Sequence, residues 1–408
     1  LAHALGLAIW TLPHNFSRKL LDAAWIAALV CQVFLFRGQS EVWITAVYLL
    51  SGQIALAGSL IAVLSFLGGA GSREGMRNIS IAGGIGMVLL VALLFAYYAV
   101  YDLPLPFSNQ VIPLAALVVL ALLSITAMLN SWKNPNEIDQ SLLRPLTAVV
   151  LVSLLIPVVI GSTQDAPASA KSEGEPLRVM TYNLLYGTNP IGLLDLEALA
   201  QVIEAEQADV VGLQEVSRGW VINGSVDLRV WLAQRVDMDL RFGPASDGQW
   251  GNAILTRMPV IEQAHYMLPT DDLLLKRGFI HAQLQEPGGR EFNFIDTHYH
   301  HLSDGGDIRV LQSQAILDFA AGMPLTILVG DLNAEHGMAE IDMLVDGGYG
   351  DVLDLAGVVP GHTSPSPNPT RRIDYVFVTP DWEVESAAVP YSEASDHLPV
   401  TASLTSLE

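Results

Sequence analysis

Thr326-Ile327-Leu328-Val329-Gly330-Asp331-Leu332-Asn333 reads as a buried apolar strand that runs out into a carboxylate and a carboxamide. Alone, a Gly-Asp-Leu-Asn ending is more often a turn than a site. Its company reverses that preference. Thr181-Tyr182-Asn183, Gln214-Glu215, Thr297-His298, Ile373-Asp374-Tyr375 and Ser395-Asp396-His397 occur in the same half of the chain, mostly at the ends of strand-like apolar runs. Six short motifs of this kind, in this order, predict a metal-dependent phosphodiesterase site.

The chemistry follows from the residue types. A hard divalent cation, Mg²⁺ with Mn²⁺ as the alternative, takes only one or two protein carboxylates and leaves its other positions to water and phosphate. Glu215 is the best candidate ligand, because it follows the buried run Val210-Val211-Gly212-Leu213-Gln214 and would stand at its tip. Asn183 offers a neutral amide oxygen at another strand end, and Asp396 is a third candidate ligand. Asp331 and Asn333 are two residues apart, which on a strand sends both side chains the same way. Both are then expected to face one phosphate, the carboxylate orienting or deprotonating a water and the amide donating to phosphoryl oxygens. His397 and Asp374 make an acid/base pair in which the carboxylate fixes the imidazole tautomer. His298 is a candidate phosphate donor. The run Thr297-His298-Tyr299-His300-His301 tempts a zinc reading, but adjacent histidines on an extended segment point to opposite faces. His300 and His301 are therefore expected to be loop residues or substrate contacts.

The organisation around this site has two parts. Hydrophobic residues make up 51% of the 408-residue chain and mean hydropathy is +0.39, too high for an ordinary soluble protein. The excess lies in five apolar runs at 20–36, 42–67, 79–100, 111–129 and 146–160, most of them near the ~20 residues a bilayer requires. They predict five transmembrane helices over residues 1–160. Residues 1–12 read as the tail of another apolar segment, so the native protein is expected to extend upstream of Leu1. Arg18, Lys19, Arg73, Arg77, Lys133 and Arg144 fall on one side of this layout and Arg37 on the other. The positive-inside rule then places everything after the fifth helix outside the cytoplasm. Residues 161–176, small, polar and Pro-containing, read as a flexible linker. From 177 to 408 the pattern changes to short strands at 177–183, 210–214, 252–256, 277–283, 292–297, 326–329 and 373–378. Helices are expected at 194–206, 226–235, 308–319 and 338–346. The mixture predicts one α/β domain of two sheets packed face to face, with helices outside.

Charge and cysteine use narrow the function. Of 42 acidic and 20 basic residues, 36 and 13 follow residue 160, so that part carries −23. Such a surface repels polyanions and lacks the basic footprint of a protein that holds long nucleic acids. The one cysteine, Cys31, lies in the first apolar run, which rules out an internal disulfide or thiolate ligation in the later domain.

Taken together, residues 177–404 resemble the endonuclease/exonuclease/phosphatase superfamily, with its deoxyribonuclease I-like four-layer α/β sandwich. That resemblance implies Mg²⁺ held chiefly by Glu215, with Asn183 and Asp396 nearby. It implies His298 and His397 on the scissile phosphate, Asp331 and Asn333 positioning the nucleophile and stabilising the transition state, and Asp374 paired with a catalytic histidine. Gly251-Asn252-Ala253-Ile254-Leu255 is similar to a strand of the family, and Arg309 with Gln312 to its helix after the histidine motif. More weakly, several membrane helices followed by an outward domain, with segments such as Tyr97-Tyr98-Ala99-Val100-Tyr101-Asp102, are similar to membrane proteins that remodel the lipid of glycosylphosphatidylinositol anchors.

The expectation is a membrane-anchored hydrolase of phosphoric esters working outside the cytoplasm on a lipid head group or lipid-linked phosphate. Its expected partners are the bilayer and that substrate, with nucleic acid disfavoured. An extracytoplasmic nuclease and a non-hydrolytic protein that binds a lipid head group are the alternatives.

Overall fold

The structure, a computed structural model, describes residues 73–102, scattered residues between 111 and 122, and 174–407 apart from 221, 222, 225, 247 and 271–274. The chain divides into two units, Leu1–Asp165 and Ala166–Glu408.

In the first unit the described helix is α1 (Arg73–Asp102). Among the described residues no helix is long and apolar enough to cross a membrane. The expected spans at 20–36, 42–67 and 146–160, and most of 111–129, lie outside the described residues. The span expected at 79–100 falls within α1.

The second unit is an α/β sandwich of two mixed six-stranded sheets. Its strands are β1 (Leu177–Asn183), β2 (Val210–Ser217), β3 (Asp239–Pro244), β4 (Trp250–Thr256), β5 (Val260–Met267), β6 (Gly278–Gln285), β7 (Glu291–His298), β8 (Thr326–Asp331), β9 (Gly350–Asp351), β10 (Asp374–Val378), β11 (Trp382–Ala388) and β12 (Val400–Ser406). One sheet has the order β11-β12-β1-β2-β4-β3 and the other β5-β6-β7-β8-β10-β9. The helices are α2 (Leu196–Glu206), α3 (Leu228–Val236), α4 (Gly306–Ala320), α5 (Ala339–Asp346) and the short α6 (Val352–Leu355).

Side-chain alternation along the strands builds the layers. Leu177, Val179, Val210, Ile254, Val400 and Leu404 of the first sheet face Ile280, Leu284, Phe292, Phe294, Ile327, Val329, Val376 and Val378 of the second. The opposite face of the first sheet, with Met180, Tyr182, Val211 and Leu255, packs on Leu199 and Ile203 of α2 and Leu228 and Leu232 of α3. The outer face of the second, with Phe279, Ile295, Leu328 and Phe377, packs on Ile316 of α4 and Ile341 and Leu344 of α5. Burying side chains of this size stabilises by about 1.5–3 kcal/mol each, and only alternating apolar strands supply two such faces.

Four strands, β3, β5, β11 and β12, and the two-residue β9 were not expected. Most of β5 and β11 is exposed, so their sequence shows no clean alternation. The seven expected strands and four expected helices are present, with ends displaced by at most three residues.

Candidate active site

The inter-sheet face changes character along its length. On β1 the inward positions run Leu177, Val179, Thr181, Asn183. On β7 they run Phe292, Phe294, Asp296, His298, and on β8 Ile327, Val329, Asp331. Strand period alone thus carries an apolar layer into a polar one. Register then aligns the second sheet's polar ends, because His298 pairs with Asp331 and Asp331 with Asp374. Across the sheets, Asn183 Nδ2 donates to Asp331 Oδ2 at 2.9 Å.

Glu215 is placed differently from expectation. β2 does not end before it but continues to Ser217, and the β2–β4 register shifts between Leu213 and Val216. Glu215 occupies this β-bulge with φ 56°, a left-handed conformation costly for a residue with a Cβ. Bulges beside active sites re-aim a side chain. Here Oε2 is shut off from water and has no hydrogen-bond partner among the described residues. Burial pushes the carboxyl up to about 7, with Asp396 and Asp331 adding to the rise while Arg277 and His397 oppose it.

Asp374 and His397 come together as expected: His397 Nδ1 donates to Asp374 Oδ2 at 2.8 Å. That bond leaves His397 Nε2 facing Asp331 Oδ2 at 3.8 Å. Burial lowers the His397 pKa, but Asp374 and Asp331 outweigh it and hold the ring well above its ordinary value. Asp331 also accepts from the Asn333 backbone N–H at 3.0 Å, and burial lifts it to about 6.

Asn333 corrects a prediction. β8 stops at Asp331, and Asn333 turns left-handed at φ 49°, so strand alternation no longer governs its direction. Its Nδ2 donates to the Tyr299 carbonyl at 3.3 Å. Asp396 is half-buried beside the site, with Oδ1 accepting from Ser395 Oγ at 3.3 Å. Ser395 Oγ also donates to the Asn183 carbonyl at 2.7 Å, tying the loop before β12 to the end of β1.

Arg277 was missed. It is only 2% exposed, donates through one terminal nitrogen to His298 Nδ1 at 3.2 Å and through the other to His301 Nδ1 at 3.0 Å, and lies 4.9 Å over the Trp250 ring. A guanidinium only donates, so His298 Nδ1 is the acceptor and the proton sits on Nε2, 3.5 Å from Asp331 Oδ2. Burial, then Arg277, holds His298 well below its ordinary pKa. Burial also lowers Arg277 to about 10. The available signal was an arginine after Lys276 at the start of an apolar strand, and a basic residue there is ordinarily on the surface. His300 is buried, with Gly305 packed against its ring, and His301 is exposed. Arg309 and Gln312 brace this loop: Arg309 binds Glu340 and the Leu302 carbonyl, and Gln312 accepts from the His300 N–H.

Two groups present themselves to a cation. Atoms of Asp331, Asp374 and His397 lie within 4.8 Å of one another, but hydrogen bonds within the cluster already engage them. Glu215 keeps an orphaned buried oxygen beside Asp396. A water-excluded carboxylate without a donor fits a hard, oxygen-preferring divalent ion.

The family model for the endonuclease/exonuclease/phosphatase family matches residues 180–397, more than half of the chain. An endonuclease/exonuclease/phosphatase from Beutenbergia cavernae is 25% identical over 57% of this chain and 72% of its own, with TM-score 0.48. A mannosyl-6-phosphatase of Bacteroides thetaiotaomicron is 21% identical over 56% and 99%, TM-score 0.48. The human Nocturnin catalytic domain is 21% identical over 57% and 94%, TM-score 0.47. The chain belongs to the endonuclease/exonuclease/phosphatase family, hydrolases of phosphoric esters that are typically metal-dependent.

Proposed function

We propose that this protein is a membrane-anchored, Mg²⁺-dependent hydrolase that cleaves a lipid head group or lipid-linked phosphate outside the cytoplasm. The observation that carries the hydrolytic part is the buried, partnerless Glu215 oxygen near two hydrogen-bonded pairs, Asn183–Asp331 and His397–Asp374, that approach each other at 3.8 Å. Glu215, with Asp396 and Asn183 beside it, would hold the ion, which when bound polarises the phosphate and lowers the pKa of water. His298 is kept neutral by burial and by Arg277 and can donate its Nε2 proton to a phosphoryl oxygen. Asp331 is oriented by Asn183 and by the Asn333 backbone, which suits it to align the attacking water. Asp374 holds Nδ1 of His397, so that Nε2 is directed to the reacting phosphate. Arg277 fixes His298 and adds positive charge to an otherwise acidic cleft.

The membrane part rests on the apolar runs in residues 1–160, on the short linker, and on α1. There Val88 and Phe95 are 69% and 74% exposed, a large cost in water and none in lipid. A short tether keeps the site near the bilayer, where lipid-linked esters are concentrated. The −23 charge of the later residues disfavours nucleic acid. The test is product release by full-length protein and its Glu215→Ala variant from phospholipids, inositol lipids and DNA, with Mg²⁺ or EDTA. Metal-dependent turnover of a lipid, abolished by the substitution, supports the reading. Turnover of DNA alone replaces it with the nuclease, and turnover of nothing leaves a head-group-binding protein.

A further inference from the structure

The turn that follows β1 has no part in the chemistry above, yet it is held in a costly shape. Leu185 and Tyr186 are both left-handed, at φ 43° and 48°, a conformation that costs a residue with a Cβ about 1 kcal/mol or more. Besides the turn's own backbone bonds, side chains hold it there. Asn183 Oδ1 accepts from the Leu185 N–H at 3.0 Å, and Asn223 Nδ2 donates both to the Tyr186 carbonyl at 2.9 Å and to Ser217 Oγ at 2.5 Å. The ends of β1 and β2 therefore impose this turn jointly.

The strain positions a ring. Tyr186 lies against Trp220 with centroids 5.7 Å apart, Trp220 is stacked parallel on Trp250 at 6.4 Å, and Trp250 meets the His298 ring at 5.7 Å beneath Arg277. Both tryptophans are buried, and only Tyr186 is half-exposed. Tyr186 is also near enough to Arg277 to interact with it electrostatically. A rigid row of aromatic faces thus leads from His298 to a single exposed ring at the edge of the site. Core packing alone accounts for the tryptophans but not for a strained tyrosine at the rim.

A flat aromatic face takes the C–H face of a polyol ring, or a nucleobase. The acidic balance of the domain repels a polynucleotide, whereas an uncharged ring carried on one phosphate meets no such penalty. We propose that Tyr186, backed by Trp220 and Trp250, is a specificity platform for the ring of a sugar or cyclitol joined to the scissile phosphate. This rests on the hydrolase reading and names the group next to the phosphate.

The test compares ring with open-chain polyols on full-length protein with Mg²⁺. The pairs are glycerophosphoinositol against glycerophosphoglycerol, and myo-inositol 1-phosphate against glycerol 2-phosphate. The expected kcat/KM preference for the ring is about tenfold or more. It is expected to fall about tenfold, chiefly through KM, in Tyr186→Asn, whose side chain tolerates the left-handed backbone, and to persist in Tyr186→Phe. No ring preference, a preference surviving Tyr186→Asn, or AMP favoured over myo-inositol 1-phosphate would overturn the platform. Hydrolysis of bis(p-nitrophenyl) phosphate, lost in Glu215→Gln, reports the hydrolase reading separately. Should that turnover be missing, calorimetric binding of myo-inositol 1-phosphate to wild type and Tyr186→Asn decides the platform by itself.

Discussion

One inter-sheet layer, made by the same strands, ends in two opposite ways. Toward the start of β1 and β7, and toward the end of β10, it consists of Leu177, Phe292, Phe294, Ile327, Val376 and Val378, all buried and apolar. Toward the other end it consists of Asn183, His298, Asp331 and Asp374, equally buried and polar. Thr181, Gln214 and Asp296 lie between them, with Gln214 Nε2 donating to Thr181 Oγ1 at 2.9 Å and to Asp296 Oδ1 at 2.5 Å. The backbone is the same throughout, so the apolar end supplies stability and the polar end spends it on function. Gly212 marks how tightly the two sheets approach between those ends. A Cβ there would meet Val329 Cγ2 at 2.3 Å and Asp296 Oδ1 at 2.9 Å.

The contrast breaks most visibly at Glu215. Glu215→Gln is expected to cut kcat about 10³-fold, measured on bis(p-nitrophenyl) phosphate, yet to leave the metal-free protein at least as stable as wild type. Loss of both activity and stability would show that Glu215 is structural. Phe294→Ala should do the reverse. It removes a fully buried ring from the apolar end and is expected to cost about 3–5 kcal/mol in urea unfolding, with kcat per folded molecule within about twofold of wild type.

Asp374→Asn sits between these extremes. The His397–Asp374 bond at 2.8 Å sets the tautomer of the ring, and an amide can set the wrong one. A fall in kcat of about 10²-fold is expected, with little change in unfolding midpoint because size and burial are conserved. An activity loss with a matching stability loss would assign the pair to the fold.

How much of this was legible follows the same division. Strands that form buried, largely apolar runs, β1, β7, β8 and β10, were readable, and so were the polar residues at their ends: Asn183, His298, Asp331 and Asp374. The His397–Asp374 pair was readable from residue chemistry alone. The mostly exposed β5 and β11 were not, because their pattern lacks a period. Glu215 was found for a partly mistaken reason, since a bulge is a relation between two strands and no single stretch of sequence displays it. Asn333 was misdirected because alternation was carried past the point where β8 ends. Arg277 and Tyr186 were invisible for a third reason: their roles come from partners 21 and more residues away, such as His298 and Trp220, which only tertiary structure brings near.

The finest contrast is in pH. Glu215 is raised from 4.5 to about 7 and Asp331 from 3.8 to about 6, so each folded carboxyl binds a proton that its unfolded counterpart has already released. Stability then falls as pH rises through these windows. His397, raised in the fold, adds stability that is complete below its unfolded pKa and is lost as pH climbs through the folded one, in the same direction. His298 and His300, held below their ordinary values, give stability that grows as pH rises through the unfolded histidine range and so oppose this trend. The contribution of Glu215 to the slope of metal-free protein, read as the difference between wild type and Glu215→Gln, is expected to be a loss on the order of 1–2 kcal/mol from pH 5 to pH 7.5. Urea unfolding in EDTA at the two pH values measures that slope, which Glu215→Gln should flatten. Phe294 carries no titrating group, so Phe294→Ala should lower the whole curve and keep the slope. Mg²⁺ binds the ionised carboxylate and should reverse the slope in wild type but not in Glu215→Gln. A slope indifferent both to the metal and to the substitution would remove Glu215 from the ion's ligands.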